Sequence, residues 1–141
     1  TMAKLGTRGR YAVLALCDLA RQEGNSPLPL ARLADRIGIS ASYLEQLFAG
    51  LRRAGLVHSV RGPGGGYRLS NQPADIKVSD VVRSVESGSE GADALEGAIT
   101  EIDDPTVALW EEIARQVFAY LERVSLQDLL SGKLSLDELA A

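Results

Sequence analysis

Apolar residues recur along this chain with a helical period at its start, alternate like a strand near its middle, and return as a long helical stripe toward its end. Thr7 can cap a first helix that runs to about Gln22, with Gly24 as its stop. Residues 11–20 are apolar almost all round, so this helix is expected to be the buried backbone of the fold. Residues 25–29 read as a turn, and their two prolines limit anything extended to a short edge strand. Residues 30–37 predict a short helix with Leu30, Leu33, Ala34 and Ile37 on one face and Gly38 at its end. Ser40 or Ser42 then caps a second helix to about Ala54, with Tyr43, Leu44, Leu47, Phe48 and Leu51 inward and Gly55 closing it.

Two short helices joined by a tight turn containing glycine make a helix-turn-helix. Directly after it the period changes. Residues 57–60 predict a strand, 61–66 a turn and 67–69 the returning strand. A hairpin in that place is the wing of a winged helix. Residues 76–85 predict one more short helix, with Val78, Val81, Val82 and Val85 available to bury.

Residues 86–104 differ in character, with seven acidic residues, no basic ones, and Gly88, Gly91 and Gly97. This stretch reads as a mobile acidic loop with a helical fragment near residues 92–96. Pro105 then opens a long helix at the first-turn position that proline favours, running to about Val124. Val107, Trp110, Ile113, Ala114, Val117, Leu121 and Val124 form one stripe, which Leu109, Phe118 and Tyr120 widen. A stripe that broad needs a domain behind it and a partner in front, which favours a homodimer with Trp110, Ile113, Val117, Leu121 and Val124 at the interface. Ser125 with Asp128, and Ser135 with Glu138, have the spacing of capping boxes for two short terminal helices. The fold class is therefore mainly α with a small β-wing. A winged helix-turn-helix DNA-binding domain occupies 1–85, an acidic loop 86–104, and a dimerisation helix with short C-terminal helices 105–141.

Composition adds to this picture in a few places. The chain has 141 residues, of which 45% are hydrophobic, so it can build a core. Aromatics at 5% argue against a platform for stacking single-stranded bases. The single cysteine, Cys17, excludes a disulfide framework and reads as a core packer. No apolar run reaches the roughly 18 residues of a membrane span. Asp18 and Arg21 interrupt the faint likeness of residues 4–20 to a signal peptide, so a cytoplasmic protein is expected. The net charge of −4 hides an asymmetry: residues 1–70 hold ten Lys/Arg against four Asp/Glu, and residues 71–141 hold five against fifteen. A basic first half points to phosphate contact at one end of the molecule only.

The basic half also holds the candidate chemistry. The first turn of the second helix would present Ser42, Tyr43, Glu45 and Gln46 to base edges, with Ser40 at its start. Glu45 can accept from a cytosine amino group and Gln46 can pair with an adenine edge. Glu45 also lies three residues after Ser42 and can close a capping box, a role that does not exclude the first. Arg52, at the far end, can contact phosphates or simply solvate the surface. In the wing, Arg61, Gly62, Pro63, Gly64, Gly65, Gly66 and Tyr67 combine an arginine with a backbone free to approach phosphate oxygens. Arg61 can enter a narrow minor groove. Thr7, Arg8 and Arg10 add a basic helix start able to grip the DNA backbone. A nucleotide-cradling loop is the rival reading of the glycines, but neither a following helix nor a Walker lysine is present. There is no Ser-His-Asp set and no cluster of metal ligands, so an enzyme is not expected.

Taken in order, GRYAVLAL, SYLEQLF, LRRAGLV, SVRGPGGGYRL and ALWEEI resemble the Rrf-type winged-helix transcription regulators, IscR-like and CymR-like. The resemblance spans about residues 4–130. It implies a bacterial homodimer that crosses through the long helix and sets two recognition helices on a pseudo-palindromic operator in double-stranded DNA. It also implies base contacts from Ser42, Glu45 and Arg61. IscR-like members hold a two-iron two-sulfur cluster on three cysteines and a histidine, and those positions fall here on Ala92, Ala98, Asp104 and Val107. Without thiolates there, no cluster is expected. The alanines suit engineered removal of cysteines as well as a naturally cluster-free, CymR-like regulator controlled by a metabolic-enzyme partner. The acidic loop would be the docking surface for that partner or a flexible sensor element. His58, the lone histidine, reads as a DNA-side or surface residue.

Overall fold

A computed structural model of the chain describes residues 6–86 and 103–134. Helix α1 (Thr7–Ala20) runs through the centre and buries Ala12, Ala15, Leu16 and Leu19. Cys17 packs beside them at 8% exposure, where burial pushes its thiol pKa up. The helix ends two residues earlier than expected, and Gly24 turns the chain beyond it with φ +65°. The N-cap also differs from the expectation. Thr7 is the first helical residue and Gly6 the cap, with no side-chain cap bond of its own. The first-turn amide of Gly9 instead donates to the Glu86 carboxylate at 2.9 Å, from the far end of another helix.

Helix α2 (Leu30–Ile37) buries Leu33 and Ala34 and stops at Gly38, which takes φ +86°. Helix α3 (Ala41–Arg53) is capped by Ser40, whose side chain accepts from the Tyr43 amide at 3.1 Å. Ser42 is therefore inside the first turn, and the capping box considered for Ser42 and Glu45 does not form. Leu44, Leu47, Phe48 and Leu51 are fully buried between α3 and α1. Asp18, nearly buried in α1, holds Arg21 and Arg36 at 3.4 Å each and so links α1 to α2.

Strands β1 (Val57–Val60) and β2 (Gly66–Leu69) pair antiparallel, with Val57 opposite Leu69 and Val60 opposite Gly66. The edge strand expected between the two prolines shrinks to one residue: Leu28 exchanges both backbone hydrogen bonds with Tyr67, at 2.9 and 3.0 Å. Helix α4 (Val78–Glu86) closes the core with Val81 and Val85, two residues later than Ile76, which is itself buried just ahead of it. Within α3, Gly50 lies against α4 so tightly that a Cβ there would stand 2.5 Å from the Ser84 carbonyl oxygen.

Helix α5 (Val107–Leu121) is shorter than the pattern implied. Pro105 stands in the turn before it, and Thr106 is the N-cap. Asp104 accepts from the Thr106 amide at 2.9 Å and from its hydroxyl at 2.6 Å, and that hydroxyl accepts from Trp110 Nε1 at 2.9 Å. These bonds hold the Asp104 carboxyl below its ordinary pKa. The chain then returns to the domain. Val78 N donates to Val124 O at 2.9 Å, Leu126 N donates to Ile76 O at 3.0 Å, and Leu126 is wholly buried in the main core. Helix α6 (Leu126–Ser131) begins with the capping box of Ser125 and Asp128. The C-terminal segment thus belongs to the same core as the first 85 residues, and α5 is an arm between them. Ala92 and Ala98, the fragment at 92–96 and the second capping box at Ser135 lie outside the described residues.

Candidate nucleic-acid interface

The architecture is the winged helix-turn-helix expected from the sequence: mostly helical, with a small two-stranded wing directly after the second helix of the pair. Burial divides α3 into two faces. Leu44, Leu47, Phe48 and Leu51 face the core, while Ser42, Glu45, Gln46, Ala49, Arg52 and Arg53 are exposed. The exposed set follows the i, i+3, i+4, i+7 spacing of one helical face. No described hydrogen bond or ion pair ties down Glu45 or Gln46.

The aromatic residues of the predicted set act differently from their neighbours. The rings of Phe48 and Tyr67 meet edge to face with centroids 4.8 Å apart, locking α3 to β2. Tyr43 packs against Tyr11 at 6.1 Å, with the Arg8 guanidinium 6.0 Å from its ring centroid. Tyr43 and Tyr67 are thus half-buried supports for the exposed polar face. The helix start at α1 is also more committed than the sequence suggested. Arg8 Nε donates to Val85 O at 2.9 Å, and Glu86 already occupies the Gly9 amide, so only Thr7 and Arg10 of the three remain exposed.

At the wing tip Gly65 N donates to Gly62 O at 2.9 Å, closing a turn around Pro63 and Gly64. Proline followed by a glycine at φ +73° is the sequence and geometry of a type II turn. Arg61, Gly62, Pro63 and Gly64 are exposed at this tip and Gly65 is half-buried beneath it. On the outer face of the hairpin lies a feature the sequence reading missed. Arg68 Nε donates to His58 Nε2 at 3.1 Å, and His58 Nδ1 is 3.0 Å from Ser70 Oγ. The hairpin register, which pairs His58 with Arg68, was the signal available.

Along α5 no residue is buried, and Leu109, Trp110 and Ile113 are 54%, 39% and 38% exposed. Val117 and Leu121 are half-buried. Val124 lies past the end of the helix, and Val78 and Val82 of its own chain bury it. Among the described residues, α5 is anchored at its C-terminal end, through Phe118, Tyr120 and Leu121 on that small cluster.

The positions that hold the cluster in IscR-like members carry no set of ligands here. Val107 has no donor atom, and Asp104 is engaged in starting α5. The chain's one cysteine is buried in α1. This donor set does not fit a thiolate-held iron–sulfur cluster.

Comparison with known proteins agrees with the geometry. The family model Rrf2, described as iron-dependent transcriptional regulator, matches residues 5–132. The HTH-type transcriptional regulator IscR of Aliivibrio salmonicida is 42% identical over 132 residues, covering 90% of this chain and 77% of the relative. That of Cereibacter sphaeroides is 40% identical over 140 residues, covering 93% and 89%. Among solved structures, T. potens IscR superposes with a TM-score of 0.73 at 39% identity, covering 93% of this chain and 88% of that one. CymR, the global cysteine regulator of B. subtilis, gives 0.71 at 34% identity, covering 92% and 98%.

Proposed function

The chain belongs to the Rrf2 family and is a winged-helix DNA-binding transcription regulator of the IscR and CymR type, and from that premise we propose how it reads DNA. It binds a pseudo-palindromic operator as a homodimer. Ser42, Glu45 and Gln46 of α3 meet base edges in the major groove, and Arg61 meets the adjacent minor groove from the wing tip. The observation that carries this reading is the two-faced α3, its inner face sealed against α1 and β2 and its outer face polar and exposed. Ser40, Thr7, Arg10, Arg52 and the amides of the wing supply backbone contacts that fix register. Residues 6–86 do the reading, and α5 joins two copies through Leu109, Trp110, Ile113, Val117 and Leu121. In this role the protein is a regulator and not an enzyme, and it acts on the bacterial chromosome in the cytoplasm. Among the described residues no helix is long and apolar enough to cross a membrane. An enzyme partner of the CymR kind would dock on the acidic stretch 86–104.

Duplexes recovered from a random pool by the purified protein test the readout. Glu45→Ala and Arg61→Ala should each lose about 1–3 kcal/mol of discrimination, and Glu45→Ala should relax the preference at a single base position in each half-site. Two variants that bind and discriminate like the parent would remove the proposed base contacts.

We also propose that the chain works without an iron–sulfur cluster, because a two-iron cluster of this family kind needs thiolates that the sequence does not hold. Protein purified anaerobically after expression with added iron should show no visible absorption band and no acid-labile sulfide. A coloured protein with stoichiometric sulfide would refute this.

A further inference from the structure

No Asp or Glu stands between Glu45 and Asp75, while Arg52, Arg53, Arg61 and Arg68 do. Arg68 is the member of this group with a described side-chain hydrogen bond. Its Nε–H donates to His58 Nε2 at 3.1 Å across the hairpin, from the position directly opposite. With Nε2 accepting this bond, Nδ1 is the ring nitrogen left to donate, and Ser70 Oγ stands 3.0 Å from it. Histidine therefore aligns the guanidinium through Nε alone. The two terminal nitrogens, with four N–H donors, have no partner among the described residues, and no described carboxylate pairs with Arg68.

An exposed arginine is ordinarily a mobile chain that loses rotamer freedom when it binds. Held at Nε, it presents a planar pair of donors already oriented for a phosphate or carboxylate. Arg61 stands at the exposed tip of the same hairpin, and residues 46–74 hold no Asp or Glu, so the fitting anion is a phosphodiester.

We propose that Arg68 is a DNA-backbone clamp on the outer face of the wing and that His58, braced by Ser70, is its positioning residue. This rests on the DNA-binding reading above and adds a contact to it. A phosphate contact carries no base information, so Arg68 strengthens binding to every sequence alike and anchors the wing beside Arg61.

The test uses the full chain and two fluorescein-labelled duplexes, one recovered by selection and one of mixed sequence, titrated over a range of salt. Arg68→Ala should weaken both by the same factor, roughly five- to tenfold, and lower the slope of log affinity against log salt by about one per protomer bound. His58→Leu, which removes the acceptor, should reproduce part of that loss. His58→Gln, whose amide oxygen can accept from Nε, should restore it. In the Arg68→Ala background, His58→Leu should add nothing. All these side chains are exposed, so the far-UV spectrum and melting point serve as folding controls.

An unchanged salt slope in Arg68→Ala would overturn the clamp. His58→Leu behaving as the parent while Arg68→Ala is weakened would overturn the positioning role. If the parent binds neither duplex, the DNA-binding reading itself falls. If the parent binds and Arg61→Ala weakens it while Arg68→Ala does not, only this inference falls.

Discussion

Gly66→Ala is expected to cost about 4 kcal/mol of stability, lower the melting temperature by on the order of ten degrees and weaken DNA binding. Two effects add at this position. The residue has φ +151°, which an L side chain rarely adopts, and that strain alone is worth roughly 1–3 kcal/mol. A Cβ would also stand 2.3 Å from the carbonyl carbon and oxygen of Leu28. Those are backbone atoms, and they belong to the bridge in which Leu28 and Tyr67 exchange hydrogen bonds at 2.9 and 3.0 Å. No rotamer change can relieve the overlap. Either the bridge opens or β2 shifts, and β2 carries Tyr67, the ring that locks the wing to α3. Gly64 is the control. It too has positive φ, +73°, but a Cβ there meets nothing within 4 Å. Gly64→Ala should cost only about 1–2 kcal/mol, the ordinary penalty of a left-handed residue with a side chain. Thermal melts of both variants decide the matter. If the two melt at the same temperature, the close approach of Leu28 is not what fixes Gly66.

The contrast between these glycines shows what a sequence can and cannot disclose. Both stand in a run that reads as a turn over residues 61–66, although Gly66 is already the first residue of β2, paired with Val60. The turn is local, since proline and glycine dictate it wherever it lies. Helix α2 was legible for the same reason, its apolar face and Gly38 together setting both ends. The choice between Ser40 and Ser42 stayed open because both have the chemistry of a cap, and only the backbone's entry angle makes Ser40 the one that accepts. What was hidden depends on residues far apart in the chain. Glu86 caps α1 at Gly9 and Arg8 holds the Val85 carbonyl, each across 77 positions. These pairs turn a helix start that looked ready for phosphate into one largely satisfied from within. Val124 matched the apolar stripe of α5 by period, but the helix ends before it, and the chain turns its side chain onto Val78 and Val82. On α3 the exposure of Ser42, Glu45 and Gln46 was legible, because it follows from period alone. The packing of Tyr43 and Tyr67 was not legible, because a tyrosine can face solvent or support a fold and only its neighbours decide.

Ile113→Glu should separate the protein into monomers and reduce affinity for a two-half-site operator by a hundredfold or more, on the order of 3 kcal/mol. Helix α5 has 15 residues, a broad apolar surface and no buried residue in its own chain. Leu109, Trp110 and Ile113 are the large apolar side chains exposed along its free half, at 54%, 39% and 38%. Against a second copy of the same helix they would form the apolar centre that a stable interface requires. A glutamate there must either be buried unpaired, at a cost of several kcal/mol, or hold the helices apart. Symmetry places two such charges at one interface, doubling the penalty. Affinity falls because a dimer delivers its second recognition helix at a high effective concentration, whereas each monomer must find its half-site alone. The fold of the protomer should be untouched, since Ile113 contributes nothing to either described core cluster. Val124→Glu is the counter-test: burial within the chain predicts a loss of protomer stability at that position, with dimerisation affected only through unfolding. Sedimentation and thermal melting of the two variants separate the roles. An Ile113→Glu protein that remains dimeric at micromolar concentration would place the dimer contact elsewhere on the molecule.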